Sequence, residues 1–351
     1  MNTNKQKNIF MIFPLLFLLS LQLSCNKPTE PENLPPGRRD YVWTVDTLDG
    51  LNSPRFRMWG SSPSDVWATT TSNWDVSISH FDGRKWSSYG IPGIIQPKGI
   101  YGFSNTSILI GESAHGKVWQ YSGNGWMLSA QLLKDGHKNI WIENIWGQSI
   151  NDFYTIGAYP DEQGLANKSV IAHYNKGDWT ILNTEKLSGV VEHLYKNQSD
   201  NKIYLQLIKV GGLVHVDSTI IYEYKQEKFE NIYSSLEIKG LQSDISLING
   251  EVYFILGNEI ATRRNNQFQK VMEVNNPNFY QRIWGRNSKD IFLLMTDGLA
   301  HYNGENIEYL FYFTVTPRTQ IFGAALFEKE VFFLVDEAQT GLSLVYHGIL
   351  K

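Results

Sequence analysis

The sequence predicts an all-β protein, a seven-bladed β-propeller with four antiparallel strands in each blade, from three observations. A repeat centred on an aromatic residue can be followed seven times between Gly60 and Gly323, and 263 residues over six intervals give a period of about 44. Repeats of this length with four short strands are typical of propeller blades. A further strand-like segment precedes the first repeat and closes the ring.

Each repeat contributes four strands, which are clearest in the first copy. Trp59-Gly60-Ser61-Ser62 is expected to form the innermost strand and Asp65-Val66-Trp67-Ala68 the second. Ser79-His80-Phe81-Asp82-Gly83 is the third, and its final Asp-Gly is a strong signal for a tight hairpin turn. Trp86 then opens the fourth strand. The fourth and fifth copies keep the least of this pattern, and no segment has a helical period of useful length.

The chain termini provide separate support for a closed ring. The seventh copy stops at Lys351 after its third strand, whereas residues 41–45 precede the first copy and read as a fourth strand that contains Trp43. We therefore expect residues 41–45 to complete the last blade, which removes an open sheet edge.

Residues 41–351 resemble bacterial secreted propellers whose repeats read Trp-Gly-x-Ser-x-x-Asp-Val-Trp-Ala, followed by His-Tyr-Asp-Gly-x-x-Trp. The resemblance implies the fold, but such repeats share no single activity. Other propeller families fit less well. Trp74-Asp75 is one isolated pair rather than a WD signature in each blade, and Gly211-Gly212 is the only Gly-Gly pair, which argues against kelch repeats.

Residues 1–24 are expected to be a lipoprotein signal peptide. Two lysines precede an apolar run over residues 9–21, which is shorter than the roughly 20 residues of a membrane-spanning helix. Gln22-Leu23-Ser24-Cys25 resembles a bacterial lipobox, which implies lipidation of Cys25, the only cysteine. Several acyl chains there would anchor the protein firmly in a membrane. Ordinary secretion with an unmodified cysteine is the alternative.

Residues 25–40 are expected to be the lipidated cysteine and a tether rich in proline. An extended chain of this composition would hold the domain about 45 Å from the lipid. Aspartate directly after the cysteine retains related lipoproteins at the inner membrane, whereas this chain has Asn26. This favours an outer-membrane location in the cell envelope, with the side of the membrane left open.

Charge and cysteine content restrict the partners. Without the two lysines of the signal peptide, 29 basic residues stand against 35 acidic residues, a net charge of −6, and no block of five like charges occurs. This composition argues against nucleic acid as a partner. A single cysteine excludes disulfides and thiolate metal sites. We expect no metal site and no cofactor.

Residues that recur at one repeat position are interpreted as structural. One group of aromatic side chains is expected to fill the wedges between blades: Trp59, Tyr101, Trp146, Tyr195, Trp284 and Phe322. Three histidines share one position and should lie too far apart in a ring to bind one metal ion: His80, His173 and His301. Three aspartates are expected to bond backbone N–H groups near the first turn of the blade: Asp65, Asp152 and Asp290.

Candidate binding residues are those that do not repeat, on the face where propellers usually bind ligands. Two positions before the repeated aromatic, at the start of the innermost strands, stand Arg57, Gly99, Asn144, His193, Arg282 and Gln320. Their neighbours include Lys98, Glu143, Glu192 and Gln281. Such a ring around the channel mouth suits a polar or anionic ligand, such as an acidic sugar or a peptide. Alternatively, it only solvates a water-filled channel. Trp74 and Tyr159 are expected to be exposed stacking platforms on nearby loops.

Two classes of function fit these observations. The first is a membrane-anchored, non-catalytic binding or scaffold module for a glycan, a peptide or an envelope protein. The second is a carbohydrate-active hydrolase or lyase in which Glu143 and Glu192 act as the acid/base pair; a hydrolase needs carboxyl groups roughly 5–10 Å apart. A closed pocket that holds both carboxylates beside Arg57 or Arg282 would favour the enzyme. We favour the binding module because no catalytic motif surrounds either glutamate.

Overall fold

The computed structural model describes residues 34–71, 74–211, 215–236 and 242–351. These residues form 28 β-strands and one short 3-10 helix, Trp74–Val76. The strands make seven separate four-stranded antiparallel sheets, and the innermost strand of each sheet contacts those of its two neighbours in cyclic order. The protein is therefore a seven-bladed β-propeller, which confirms the predicted fold.

Within each blade the strands follow one another from the channel outward. Blade 1 contains β2 (Arg55–Ser62), β3 (Asp65–Thr70), β4 (Ile78–Phe81) and β5 (Trp86–Tyr89). Blade 2 contains β6 (Pro97–Ser104), β7 (Ser107–Glu112), β8 (Lys117–Tyr121) and β9 (Trp126–Gln131). Blade 3 contains β10 (Trp141–Ser149), β11 (Asp152–Tyr159), β12 (Lys168–Asn175) and β13 (Asp178–Ile181). Blade 4 contains β14 (Val190–Lys196), β15 (Ile203–Gly211), β16 (His215–Lys225) and β17 (Lys228–Leu236). Blade 5 contains β18 (Ser243–Ile248), β19 (Glu251–Leu256), β20 (Glu259–Arg264) and β21 (Gln267–Glu273). Blade 6 contains β22 (Phe279–Asn287), β23 (Asp290–Met295), β24 (Gly298–Tyr302) and β25 (Ile307–Tyr312). Blade 7 contains β26 (Thr319–Leu326), β27 (Glu330–Glu337), β28 (Leu342–Leu350) and β1 (Tyr41–Thr47).

The N-terminal strand closes the ring as the sequence predicts. β1 pairs antiparallel with β28 from Tyr41 opposite Leu350 to Thr47 opposite Leu344, so it is the outermost strand of blade 7. The Trp43 ring lies edge-on to Phe311 of blade 6, with centroids 4.9 Å apart. The first strand of the fold is thus held both by the end of the chain and by a neighbouring blade.

The repeated aromatic residues pack between neighbouring blades. A Cβ atom on Gly102 of blade 2 would lie only 2.4 Å from the Trp59 ring of blade 1. Trp146 of blade 3 contacts Tyr195 of blade 4 in a T-shaped arrangement, with centroids 6.0 Å apart. Blade 5 lacks this aromatic residue. By strand register its counterpart is Ser246, whose hydroxyl donates to the Ile283 carbonyl of blade 6 at 2.9 Å.

The repeated aspartates do not bond the turn backbone as expected; they pair with the repeated histidines of the same blade. His80 and Asp65, His173 and Asp152, and His301 and Asp290 are joined by Nε2–Oδ1 contacts of 2.8, 2.8 and 2.7 Å. In each of these blades the aspartate is the first residue of the second strand. In blade 1, Asp65 and Trp67 lie on the same face of that strand, and Trp67 is paired with His80 of the third strand. The cross-strand partner is therefore closer than the turn.

The two faces of the ring are built from different loops. The mouth face is where the innermost strands begin, and it bears the loops between second and third strands and between blades. The turn face, opposite, bears the two tight hairpin turns of each blade. In the described part of the chain, no helix combines the length and apolar character needed to cross a membrane.

Residues 34–40, expected to belong to the tether, are bound to the turn face at blade 6. The Gly37 amide donates to the carbonyls of Lys289 and Asn303 at 3.0 and 3.1 Å, and the Lys289 ammonium donates to the Leu34 carbonyl at 2.8 Å. Arg39 donates from Nη2 to the His301 carbonyl at 2.9 Å. The expected tether is therefore shorter than residues 25–40. The signal peptide and Cys25 lie outside the described residues.

Candidate functional site

The seven innermost strands each place one residue at the mouth of the channel, two positions before the repeated aromatic. In blade order the ring is Arg57, Gly99, Asn144, His193, Asp244, Arg282 and Gln320. All six residues that the sequence analysis placed at this position, Gly99 included, occupy it. Asp244 completes the ring and is absent from the prediction, because Ser246 replaces the aromatic residue that marks the position in the other blades.

Arg57 crosses the mouth from blade 1 to blade 4. Its Nη2 donates to Glu192 Oε2 at 2.6 Å, and its Nε donates to the Glu143 carbonyl of blade 3 at 3.3 Å. The two paired side chains are 11% and 16% exposed. The Arg57 guanidinium is therefore not a free cation for an incoming anion, because a carboxylate of the protein already holds it.

Glu143 and Glu192, the carboxylates of the enzyme alternative, lie close to one another and to two cations. The Lys98 ammonium forms an ion pair with Glu143 Oε2, and Glu192 pairs with Arg57. Burial raises the pKa of Glu143, with Lys98 opposing this effect. Burial also acts to raise the pKa of Glu192, but the charges of Arg57 and Lys98 outweigh it and lower this pKa to about 2. The two environments push the paired pKa values apart.

A second charged cluster lies on the blade 5 and blade 6 side of the mouth. Arg282 Nε donates to Asp244 Oδ2 at 2.9 Å, and Arg282 Nη2 lies 3.4 Å from His193 Nε2. Burial lowers the pKa of His193 to about 4, so its ring is neutral at neutral pH. The other ring nitrogen, Nδ1, lies 3.2 Å from the Tyr195 hydroxyl and 3.4 Å from Asn144 Nδ2, so both ring nitrogens have polar neighbours.

Three adjacent cavities lie on the mouth face. The central cavity, of about 300 Å³, lies over the ring and is lined by Arg57, Glu192 and Arg282 among others. The loop cavity, of about 550 Å³, adjoins residues 164–167 and shares Lys98 and Glu192 with the central cavity. The apolar cavity, of about 480 Å³, lies between blades 6 and 7 and shares three residues with the central cavity: Tyr280, Gln320 and Phe322.

The two predicted stacking residues lie outside these cavities. Trp74 is 64% exposed in the 3-10 helix, as expected, but it does not line the central, loop or apolar cavity. Tyr159 is only 4% exposed, so the expectation of an exposed platform is wrong. Its hydroxyl donates to Asp135 at 2.6 Å, and the Lys168 ammonium lies 5.9 Å from its ring centroid. The ring itself is buried because it belongs to the hydrophobic core cluster that includes Leu132 and Ile140.

Several lining residues are missing from the sequence prediction. Gln206 of β15 lines the central cavity and is 2% exposed, and its Oε1 accepts no hydrogen bond from any residue that the structure describes. Trp141 and Leu165 line the loop cavity, and Leu294 lines the apolar one. Only Trp141, an aromatic residue at the start of an innermost strand, follows a pattern that sequence reasoning could have used.

The charges at the mouth compensate one another. Lys98 pairs with Glu143, Arg57 with Glu192, and Arg282 with Asp244. Among the described residues, no group of three or more His, Cys, Asp or Glu side chains is placed to hold a metal ion. The arrangement offers hydrogen-bond donors and acceptors without a net charge.

No protein-family model matches the sequence, and no curated protein is similar to it in sequence. Solved structures are similar in fold. Virginiamycin B lyase from Staphylococcus aureus has a TM-score of 0.64 at 12% identity, covering 89% of this chain and 100% of the lyase. A streptogramin B lyase has a TM-score of 0.61 at 16% identity, covering 88% and 98%. YCF48 bound to a D1 peptide has a TM-score of 0.54 at 14% identity, covering 89% and 99%. At these identities the similarity establishes the propeller fold alone.

Proposed function

We propose that this protein is a binding module of the cell envelope that holds a peptide segment of a partner protein at its mouth face. The observation that carries the proposal is the central cavity, where polar side chains converge but every cation is already paired with a carboxylate. A ligand with a strong net charge would have to break one of these pairs, which is costly for buried ions. Peptide groups offer donors and acceptors without charge.

Gln206 adds a second argument for a ligand that donates hydrogen bonds. Its buried Oε1 has no donor among the described residues, although the same side chain donates from Nε2 to the Ser243 carbonyl at 3.4 Å. A buried acceptor without a donor costs free energy unless a ligand or water supplies one. A peptide N–H in the central cavity would supply it. The similarity in fold to YCF48, a propeller solved with a bound peptide, supports the same class of ligand.

A peptide and glycan array probed with the full chain tests this proposal. Gln206→Leu keeps the size of the side chain and removes the acceptor, and Gln269→Leu on the exposed outer strand β21 is the matched control. We expect peptide binding about 10-fold weaker in Gln206→Leu and unchanged in Gln269→Leu, as the loss of one hydrogen bond implies. Binding of glycans in place of peptides, or peptide binding indifferent to Gln206→Leu, would contradict the proposal.

The proposal includes an outer-membrane anchor through lipid on Cys25, with the mouth face directed away from the membrane. The supporting observation is that residues 34–40 lie along the turn face, opposite the mouth. The nine residues from Cys25 to the one before Leu34 can span at most about 30 Å. A ligand would then reach the mouth face from the aqueous space on the side away from the membrane, not along the lipid surface.

Two measurements test the anchor and its direction. Metabolic labelling with an alkyne fatty acid should modify the wild type and not Cys25→Ala, which should move to the soluble fraction. In lipidated protein on vesicles, a fluorophore on Glu305→Cys at the turn face should be quenched by nitroxide headgroups, and one on Glu162→Cys at the mouth face should not. Both sites are exposed in the structure. Equal quenching at the two sites would exclude the orientation.

The second candidate is a carbohydrate-active hydrolase or lyase that uses Glu143 and Glu192. It is supported by the shared cavity of the two carboxylates beside Lys98 and by their oppositely shifted pKa values. Glu143 would act as the acid because burial favours its protonated form, and Glu192 as the base. Turnover of a glycan panel that is lost in both Glu143→Gln and Glu192→Gln would favour the enzyme. Binding without turnover would favour the module.

A further inference from the structure

We propose that the apolar cavity between blades 6 and 7 takes one large apolar side chain, such as that of Phe or Leu, from the bound peptide. This inference rests on the proposed peptide-binding function and adds the specificity of the site. Six of the eleven lining residues are apolar or aromatic: Tyr280, Leu294, Met295, Pro317, Phe322 and Ala338. The loop cavity also adjoins the central cavity, but a smaller share of its lining residues is apolar or aromatic.

The wall of the apolar cavity selects against sugars and for hydrocarbon. Leu294 and Met295 of β23 are 1% and 0% exposed, so the apolar surface that a ligand meets comes mainly from Tyr280, Pro317 and Phe322, which are exposed or half-buried. A sugar ring carries hydroxyl groups on its whole edge and would lose hydrogen bonds to water against such a wall. An apolar side chain loses none and removes its surface from water.

The charges near this cavity do not select for an ion. Asp336 is half-buried and Arg318 is exposed, and both line the cavity. One carboxyl group and one guanidinium leave no net charge for a charged side chain of the ligand to meet. The loop cavity differs, because Lys98, Glu143 and Glu192 line it. It is therefore the more polar of the two flanking cavities and the less suited to a hydrocarbon side chain.

The apolar cavity adjoins the central cavity. Tyr280, Gln320 and Phe322 line both, so a chain whose main-chain groups meet Gln206 and the ring can place a side chain between blades 6 and 7. The apolar cavity has a volume of about 480 Å³, within the range of ligand pockets. A deep apolar pocket beside a polar rim is the usual site of the residue that dominates binding at an interface.

A short peptide series measures this specificity with the full chain. The probes are acetyl-Gly-Ser-X-Ser-Gly-amide peptides with X as Phe, Leu, Ser or Asp, and the dissociation constants are measured by calorimetry. We expect the Phe and Leu peptides to bind at least about 10-fold more tightly than the Ser peptide, as burial of such a side chain implies. We expect the Asp peptide to bind no better than the Ser peptide.

Two tryptophan substitutions locate the pocket. Ala338→Trp places a ring at the exposed rim of the apolar cavity, and Ala166→Trp places one at a half-buried position of the loop cavity. Ala338→Trp should abolish the preference for Phe and Leu, and Ala166→Trp should keep it. Equal binding of the Phe, Leu and Ser peptides, or a preference that survives Ala338→Trp, would contradict the role proposed for the apolar cavity. Either result would leave the proposed binding of peptides at the mouth face unaffected. If no peptide in the series binds the wild type, peptide binding at the mouth fails as well.

Discussion

Arg57 and Glu192 meet across the ring, 135 residues apart in sequence, with Nη2 donating to Oε2 at 2.6 Å. They belong to blades 1 and 4, which do not adjoin. The guanidinium spans the mouth above a channel cavity of about 230 Å³ that is lined by the repeated aromatic residues. The cross-ring pair is therefore both part of the candidate site and a link between blades that share no strand contact.

Removal of one partner of this pair should be costly. Arg57→Ala leaves the largely buried Glu192 carboxylate without its guanidinium, and we expect a loss of about 3 kcal/mol in the free energy of unfolding. Arg57→Ala/Glu192→Gln should recover most of that loss because the uncompensated charge is gone. Urea denaturation followed by tryptophan fluorescence measures both variants. A double variant as unstable as the single one would argue against the ion pair as the cause.

His193 should make the stability depend on pH. Burial lowers its pKa to about 4 in the folded state, against about 6.5 in the unfolded chain. Between these values the unfolded state binds more protons, so the contribution is fully present above pH 6.5 and is lost as pH falls towards 4. We expect a loss of about 3 kcal/mol over this interval that His193→Gln removes. Parallel stability curves for the wild type and His193→Gln would show that the imidazole does not titrate differently on folding.

Asp290 and Asp152 occupy the same repeat position but should differ in importance. The Asp290 side chain is 8% exposed and pairs with both His301 and Arg286, whereas that of Asp152 is 41% exposed and pairs with His173. Asp290→Ala should cost about 3 kcal/mol, because it strands a buried guanidinium. Asp152→Ala should cost less than about 1 kcal/mol. Thermal and urea unfolding compare them directly; equal losses would mean that burial does not set their contribution.

Ring closure should depend on Trp43. Its ring packs on Phe311 of blade 6 and on Phe333 of blade 7, with centroids 4.9 and 6.3 Å away. Trp43→Ala should lower the free energy of unfolding by about 3 kcal/mol and should speed unfolding. Val42 points outward on the same strand and is 51% exposed, so Val42→Ala should change little. Comparable effects of the two variants would show that strand pairing alone closes the ring.

Much of the fold and part of the site follow from local patterns in the sequence. The period of about 44 residues, the Asp-Gly turn after the third strand and the strand-like residues 41–45 are short-range features, and they predicted the blades and their closure. The offset from the repeated aromatic correctly placed Arg57 and Arg282 in one ring. It failed at Asp244, because Ser246 stands where the aromatic residue marks the other blades.

The partners of these residues could not be derived in this way. The position of a residue in the repeat predicts whether it lies at the mouth of the channel. Which residues its side chain contacts across the mouth depends on distances that all seven blades set together. Arg57 is therefore ion-paired with Glu192 and Arg282 with Asp244, so neither arginine is free for the polar or anionic ligand that the sequence analysis expected. The expectation for Tyr159 fails for the same reason, since it is buried in a core cluster with Leu132 and Ile140, which lie outside its own strand.

The sequence by itself thus determined the architecture and six of the seven members of the mouth ring, because hydrogen-bonded strands and their turns obey a period that can be read along the chain. Only the tertiary structure decided which charges neutralise one another, where the cavities open, and that residues 34–40 lie on the turn face. These properties depend on contacts between residues far apart in sequence, and they exist only once the ring is closed.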